Sequence, residues 1–301
     1  MLYQPSHIKR HRATKDEMEE RALFLIKYAG EHGPITVRGL YYQAEVASIP
    51  GIGKDDSGYS KVQAQVLKLR REGRLAYEHI ADLTRWMRKP STFNSVQDAL
   101  EDTARLYRKA LWNDAKEYIE VWCEKDALAG VILPITSAYD VPLMVSRGFA
   151  SETFCYEAIA SRDTDKRDYY VYYFGDFDRA GQDAAKSLEK KLRGFAAEAG
   201  IQIYFVQLAV RPEQVSFWNL PTREPKRKTA ADRKWSYDYA CELDAIPPDI
   251  LRQIVLAAIE RHLPEDQYRI LKAAEASERE LLEQLVFKAN RQQSDHVYDI
   301  E

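Results

Sequence analysis

The chain has 301 residues, of which 45% are hydrophobic and 30% charged, and its three cysteines (Cys123, Cys155, Cys241) are scattered; this suits a globular protein with a real core and excludes a disulfide framework or a four-cysteine zinc site. No run approaches about 18 apolar residues and the start lacks a secretory pattern, so the expectation is a cytoplasmic protein with no membrane partner. The formal charge of −3 hides an asymmetry: residues 1–90 carry 16 Lys and Arg against 11 Asp and Glu, whereas the remainder carries 28 against 36.

Residues 15–32 read as an amphipathic helix, with Met18, Ala22, Leu23, Leu25, Ile26 and Ala29 near the helical period, stopped by Gly33-Pro34. Thr36 is a candidate N-cap for a second helix to about Val46, and Pro50–Gly53 breaks the chain again. A third helix is expected from Tyr59 to Glu72, burying Val62, Val66 and Leu69 and presenting Lys61, Lys68, Arg70 and Arg71. Gly73 ends it, and Arg74–Ile80 reads as a short strand. Helix, helix, basic helix and strand is the winged-helix order, in which the third helix enters a DNA major groove. A solvated basic face would give the same charge pattern.

Residues 91–116 read as a connecting helix, with Leu100, Ala104, Tyr107 and Leu111 on one face. Strands and helices then alternate. Strands are expected at 118–123, 141–146, 169–174 and 201–209, with helices at 126–139, 151–161 and 179–200 between them. Apolar strands separated in this way indicate a parallel, doubly wound sheet, so the fold class is mixed α/β. A basic stretch, Thr222–Lys228, reads as an exposed loop, and helices at 247–262 and 265–291 close the chain.

Ligands of open parallel sheets bind beyond the carboxyl ends of the strands. There the first strand runs into Glu124-Lys125, and the third into Gly175-Asp176-Phe177-Asp178-Arg179-Ala180-Gly181. Two carboxylates about 4 Å apart repel by roughly 4 kcal/mol at an effective dielectric near 20, so such a cluster raises a pKa or takes a cation. An all-oxygen set suits Mg²⁺ or Mn²⁺. Ala180 lies where a haloacid-dehalogenase phosphatase has Thr or Val. Gly51-Ile52-Gly53-Lys54 is not a P-loop, since Ser48 stands at the leading Gly position and Asp55 follows the lysine.

In the second helix, Arg38 and Tyr42 are four residues apart and share a face. A tyrosine hydroxyl can be a covalent nucleophile, and ionising it at pH 7 costs about 4 kcal/mol, which a nearby guanidinium or metal offsets. Packing accounts equally well for most Tyr-Tyr pairs in a chain with 19 tyrosines.

Three motifs stand in a telling order: Thr36–Tyr42 with Arg-Gly-Leu-Tyr-Tyr, Val121–Ala127 around Glu124, and Gly175–Gly181. Over about residues 15–210 the chain resembles the A subunit of topoisomerase VI and the related meiotic double-strand-break transesterases, and among them most the compact stand-alone proteins of mobile elements. Arg179 stands where that family often has Pro, nearer to other Toprim enzymes. The resemblance implies a winged-helix domain at 1–90, a linker at 91–116, a Toprim metal-binding domain at 117–215, and a basic loop with C-terminal helices at 216–301. It further implies that Tyr42 forms a 5′-phosphotyrosyl link with help from Arg38. Glu124, Asp176 and Asp178 would hold Mg²⁺, or Mn²⁺, with Glu124 counted as catalytic too. Lys61, Lys68, Arg70, Arg71, Arg74 and Lys125 would contact DNA. The implied partners are duplex DNA, a second copy of the chain whose acids each tyrosine serves, and a separate B-type ATPase subunit. Two other expectations remain open: a metal-dependent nuclease that uses water instead of Tyr42, and a non-catalytic DNA-binding subunit.

Overall fold

The computed structural model describes residues 13–81, 92–162, 164–230, 232–263 and 265–298, with side chains in the last helix described to residue 287. Residues 82–91, the expected junction of the first two segments, lie outside it.

Each N-terminal helix begins at the residue whose side chain can take the orphan backbone donors of its first turn. Thr14 and Glu17 form a capping box for α1 (Lys15–His32). Thr36 Oγ1 accepts from Gly39 N at 2.8 Å to cap α2 (Val37–Val46). Asp55 Oδ1 accepts from Gly58 N at 2.6 Å to start α3 (Asp56–Arg71), three residues ahead of the expected start. The three helices bury Leu25, Leu40, Val62, Val66 and Leu69 between them.

The strand expected at Arg74–Ile80 does not form. Gly73 turns the chain at a positive φ of 70°, and a 3₁₀ turn follows at Tyr77–His79. Arg74 pairs with Glu19, and Arg70 lies 4.1 Å over the Tyr77 ring. The backbone beyond bonds the Gly33–Ile35 segment instead of a hairpin partner: Ile35 N donates to His79 O, and Ala81 N to Ile35 O, both at 3.0 Å.

The expected connecting helix is shorter, α4 (Val96–Leu106). It stops because the backbone beyond it is claimed by the last helix: Lys109 N donates to Glu275 Oε2 at 3.0 Å, and Tyr107 O accepts from Arg279 at 2.9 Å. Ala104 is buried, Leu100 is exposed, and Leu111 is buried from outside the helix.

The α/β part follows the sequence closely: β1 (Glu117–Cys123), α5 (Asp126–Ala138), β2 (Leu143–Val145), α6 (Glu152–Ala160), β3 (Asp168–Phe174), α7 (Arg179–Glu198) and β4 (Ile203–Ala209). These strands form one parallel sheet in the order β2-β1-β3-β4. A short α8 (Pro212–Phe217) was not expected; α9 (Pro248–Glu260) and α10 (Glu265–Tyr298) were.

Period-two alternation sorts the strand residues to two faces. Ile119, Val121, Cys123, Tyr172 and Phe174 pack with α5 and α9. Trp122, Tyr169, Val171 and Tyr173 pack with α6 and α7. The first of these cores continues without a break into the N-terminal helices through Leu243, Ala245 and Ile246. That continuity brings α2 to the carboxyl edge of the sheet.

Candidate functional site

At that edge β1 ends in Glu124 and β3 ends ahead of Gly175–Asp178. Asp176 N donates to Glu124 Oε2 at 3.0 Å, which sets the two acids side by side. Gly175 permits the approach: a Cβ there would lie 2.7 Å from Glu124 Oε2 and 2.6 Å from the Tyr173 ring. Gly181 passes as close to the Asp176 carbonyl. The two glycines that the sequence set beside the acids therefore make room for the chain itself.

Each acid has a distinct set of partners. Asp176 Oδ1 accepts from Leu243 N at 2.8 Å and pairs with Lys125 Nζ at 2.9 Å. Asp178 Oδ1 caps α7 through Gly181 N at 2.8 Å, and its Oδ2 takes Arg223 Nη2 at 2.7 Å. Two acids that the sequence reading passed over complete the cluster. Glu242 takes Arg38 Nε at 2.5 Å and faces Arg223 Nε at 3.2 Å and Lys125 Nζ at 3.4 Å. Asp244 takes the Thr36 hydroxyl at 2.7 Å and Lys125 Nζ at 2.8 Å. Their only sequence signal was an acid-x-acid, Glu242-Leu243-Asp244, one of several in the chain and 66 residues after Asp176-Phe177-Asp178.

Together these residues line a cleft of about 800 Å³ between α2, α3 and the carboxyl edge of the sheet. Arg38, Arg70, Glu124, Lys125, Asp176 and Asp178, all singled out in the sequence, line it. Tyr42, 7% exposed, does not line the cleft, and no hydrogen bond among the described residues holds its hydroxyl. The other expected DNA-contacting residues of the third helix, and Arg74 just beyond it, lie outside the cleft. Lys61 donates to Gly51 O at 2.8 Å, Lys68 pairs with Glu72 at 3.6 Å, Arg71 is exposed, and Arg74 is held by Glu19.

The electrostatics follow from the packing. Burial raises the Glu124 pKa, and the neighbouring Asp176 adds to the rise. Burial raises Asp176 too, against the pull of Lys125. Burial disfavours a charged Lys125, yet Asp244, Asp176 and Glu242 together drive its pKa well above that of a free lysine. Arg38 follows the same logic, with burial outweighed by Glu242, Tyr42, Asp244 and Tyr59 together. Tyr42 is pushed up by burial and by Glu242, and drawn back by Arg38 and Lys125, so it is a protonated phenol at neutral pH.

Among the described residues no group of three or more His, Cys, Asp or Glu stands ready as a cation cage. The donor chemistry of two residues nevertheless fits a hard cation. Hydrogen bonds use Oε2 of Glu124 and Oδ1 of Asp176, leaving Oε1 and Oδ2, and Mg²⁺ binds through one or two carboxylates with retained waters. The buried Tyr173 hydroxyl, which has the Ser146 side chain as a neighbour, adds a polar group beside Glu124. Asp178 differs, because both its oxygens are engaged.

No helix among the described residues is long and apolar enough to cross a membrane. No family model matches the chain, and no curated protein matches it as a relative.

Proposed function

We propose that this protein is a Mg²⁺-dependent DNA-cleaving enzyme that works by tyrosine transesterification. The observation that carries the reading is the cleft in which Arg38, four residues before Tyr42 on α2, meets the sheet-edge acids Glu124 and Asp176. A strand-end acid pair, a phosphate-binding guanidinium and a phenol on one helix form a small set, and phosphodiester cleavage uses every member of it.

Glu124 and Asp176 would hold Mg²⁺ or Mn²⁺, with Asp178 joining when Arg223 releases it. The bound cation supplies Lewis-acid stabilisation of charge on the phosphate oxygens. Arg38 and Lys125 orient the diester and offset the charge that develops on it. The Tyr42 oxygen attacks phosphorus, the P–O3′ bond breaks, and the phenolic proton is given up as the 3′-oxygen leaves as a hydroxyl. The product is a 5′-phosphotyrosyl link. Two copies of the chain act on one duplex, because staggered nicks in antiparallel strands are related by a two-fold axis.

Burial of Tyr42 favours one second reading, in which the same cation and acids activate water and the tyrosine is only packing. One assay separates the two. The protein is incubated with Mg²⁺ and end-labelled duplex and quenched with detergent. Transesterification leaves label on wild-type protein and none on Tyr42→Phe. Free cut ends that persist in Tyr42→Phe would replace it with hydrolysis. An uncut duplex, with shifted mobility in the absence of detergent, would leave a binding subunit.

A further inference from the structure

The five residues Cys241–Ala245 tie together parts of the chain that are distant in sequence. Cys241 and Phe177 exchange backbone hydrogen bonds at 2.8 and 3.0 Å, Leu243 N reaches Asp176, and Asp244 reaches the N-cap of α2. Glu242 lies at the centre of this clip, 8% exposed.

We propose that Glu242 is a positioning residue that aims Arg38 at the substrate phosphate, an inference that rests on the reading of the cleft as a phosphodiester site. The geometry is specific to the guanidinium. Glu242 Oε2 takes Arg38 through Nε at 2.5 Å, and the Tyr59 ring supports the group at 4.9 Å. A guanidinium anchored by Nε has its plane fixed while its two terminal nitrogens, the pair that matches two phosphate oxygens, still point away. Arg223 also faces Glu242, but its Nη2 is committed to Asp178. Arg38 is therefore held without being used up; Arg147, which Asp126 also holds through Nε at the cleft, differs in having its side chain 64% exposed. Charge matters as well as acceptance, because without it Arg38, Arg223 and Lys125 would face one another across the cleft with less to balance them.

A group that acts through another loses its effect when the other is gone. The test is a double-mutant cycle on the full chain with Glu242→Gln and Arg38→Ala, reading steady-state duplex cleavage in Mg²⁺ alongside the melting temperature. Glu242→Gln is expected to lower kcat by about 10- to 100-fold, as misplacement of a positioned group does. It should cost no further factor in the Arg38→Ala background, and Glu242→Asp, which keeps the charge, should recover part of the loss. Equal losses in both backgrounds, or wild-type kinetics in Glu242→Gln, would overturn the proposal. Should Glu242→Gln lack a cooperative melt, the cycle is run with Glu242→Asp on the same criterion. The same variants are also read by binding of a fluorescent duplex, which needs no chemistry. An inert wild type with non-additive binding would remove the cleavage reading and keep the role of Glu242; additive binding would remove that role.

Discussion

Glu120 and Asp176 belong to neighbouring parts of the same sheet, both are almost wholly shielded from water, and burial raises the pKa of both. Their partners differ. Glu120 points into the α6–α7 face, where it accepts from Trp122 Nε1 at 2.8 Å, from Tyr118 Oη at 3.1 Å and from the Tyr169 hydroxyl. Those donors are neutral, come from the same two strands, and border no part of the large cleft. Arg162 lies over the Tyr118 and Tyr169 rings at 4.4 and 4.5 Å and draws the Glu120 pKa down, a pull that burial outweighs. Asp176 is held by the Lys125 ammonium and a backbone amide from the 241–245 clip, at the wall of a cleft. Burial of an acid alone thus separates nothing. Neutral donors within the sheet make a structural acid, while cations brought to a cleft make one whose partners a ligand can replace.

The largest effect expected from this contrast is on activity. Asp176→Ala should lower Mg²⁺-dependent cleavage by at least about 10²-fold, whereas Glu120→Gln should cleave at the wild-type rate. Added Mg²⁺ should raise the melting temperature of wild type and of Glu120→Gln, but not of Asp176→Ala; saturation at about 100 times Kd corresponds to about 2.7 kcal/mol of stabilisation. Loss of cleavage in a well-folded Glu120→Gln would break the comparison.

The next effect is on stability. Glu120→Ala strands two buried donors, Trp122 and Tyr169, each costing about 1–3 kcal/mol, and the half-buried Tyr118 hydroxyl, so denaturant melts should show a large loss. Glutamine keeps an acceptor for Trp122 and Tyr169 and removes the charge. Because the folded pKa of Glu120 is raised, the folded state holds its proton where the unfolded chain has released it. The contribution of Glu120 is therefore full below about pH 4.3, the ordinary glutamate value, and is lost as pH rises through the raised value. Wild type should lose stability relative to Glu120→Gln as pH rises from about 4 through that raised value, and parallel stability curves would refute that account.

The sheet was legible because buried parallel strands are written as continuous apolar runs; Tyr169–Phe174 carries that signal in full, and Tyr118–Cys123 carries it but for Glu120. Local caps were legible for the same kind of reason: Thr36 bonds its own helix three residues on. What the sequence did not reveal lies in contacts between distant residues. Arg38 and Glu242 are 204 positions apart, and no local periodicity links them. The strand expected at Arg74–Ile80 and the length of the 91–116 helix failed likewise. Their backbone groups are taken by Ile35 and by α10, partners that a window along the chain does not contain.

The smallest effect separates the two adjacent tyrosines of α2, which sequence alone could not rank. Tyr41 Oη donates to the Gly53 carbonyl at 3.1 Å, and its ring meets Tyr59 edge-on at 5.7 Å, so its hydroxyl ties α2 to the turn before α3. Tyr42 lies within the fields of Glu242, Arg38, Lys125 and Asp244, and its hydroxyl is bonded to none of the described residues. Removing a hydroxyl that makes a hydrogen bond costs about 1 kcal/mol, whereas removing one that makes none costs little. Tyr41→Phe should therefore lower stability by about 1 kcal/mol and leave cleavage intact. Tyr42→Phe should melt within a few tenths of a kcal/mol of wild type and lose the protein-linked product. Denaturant melts and the labelled-duplex assay on the two variants read both columns at once. A Tyr41→Phe variant without protein-linked label would move the nucleophile one residue along the helix, away from the cluster around Glu242.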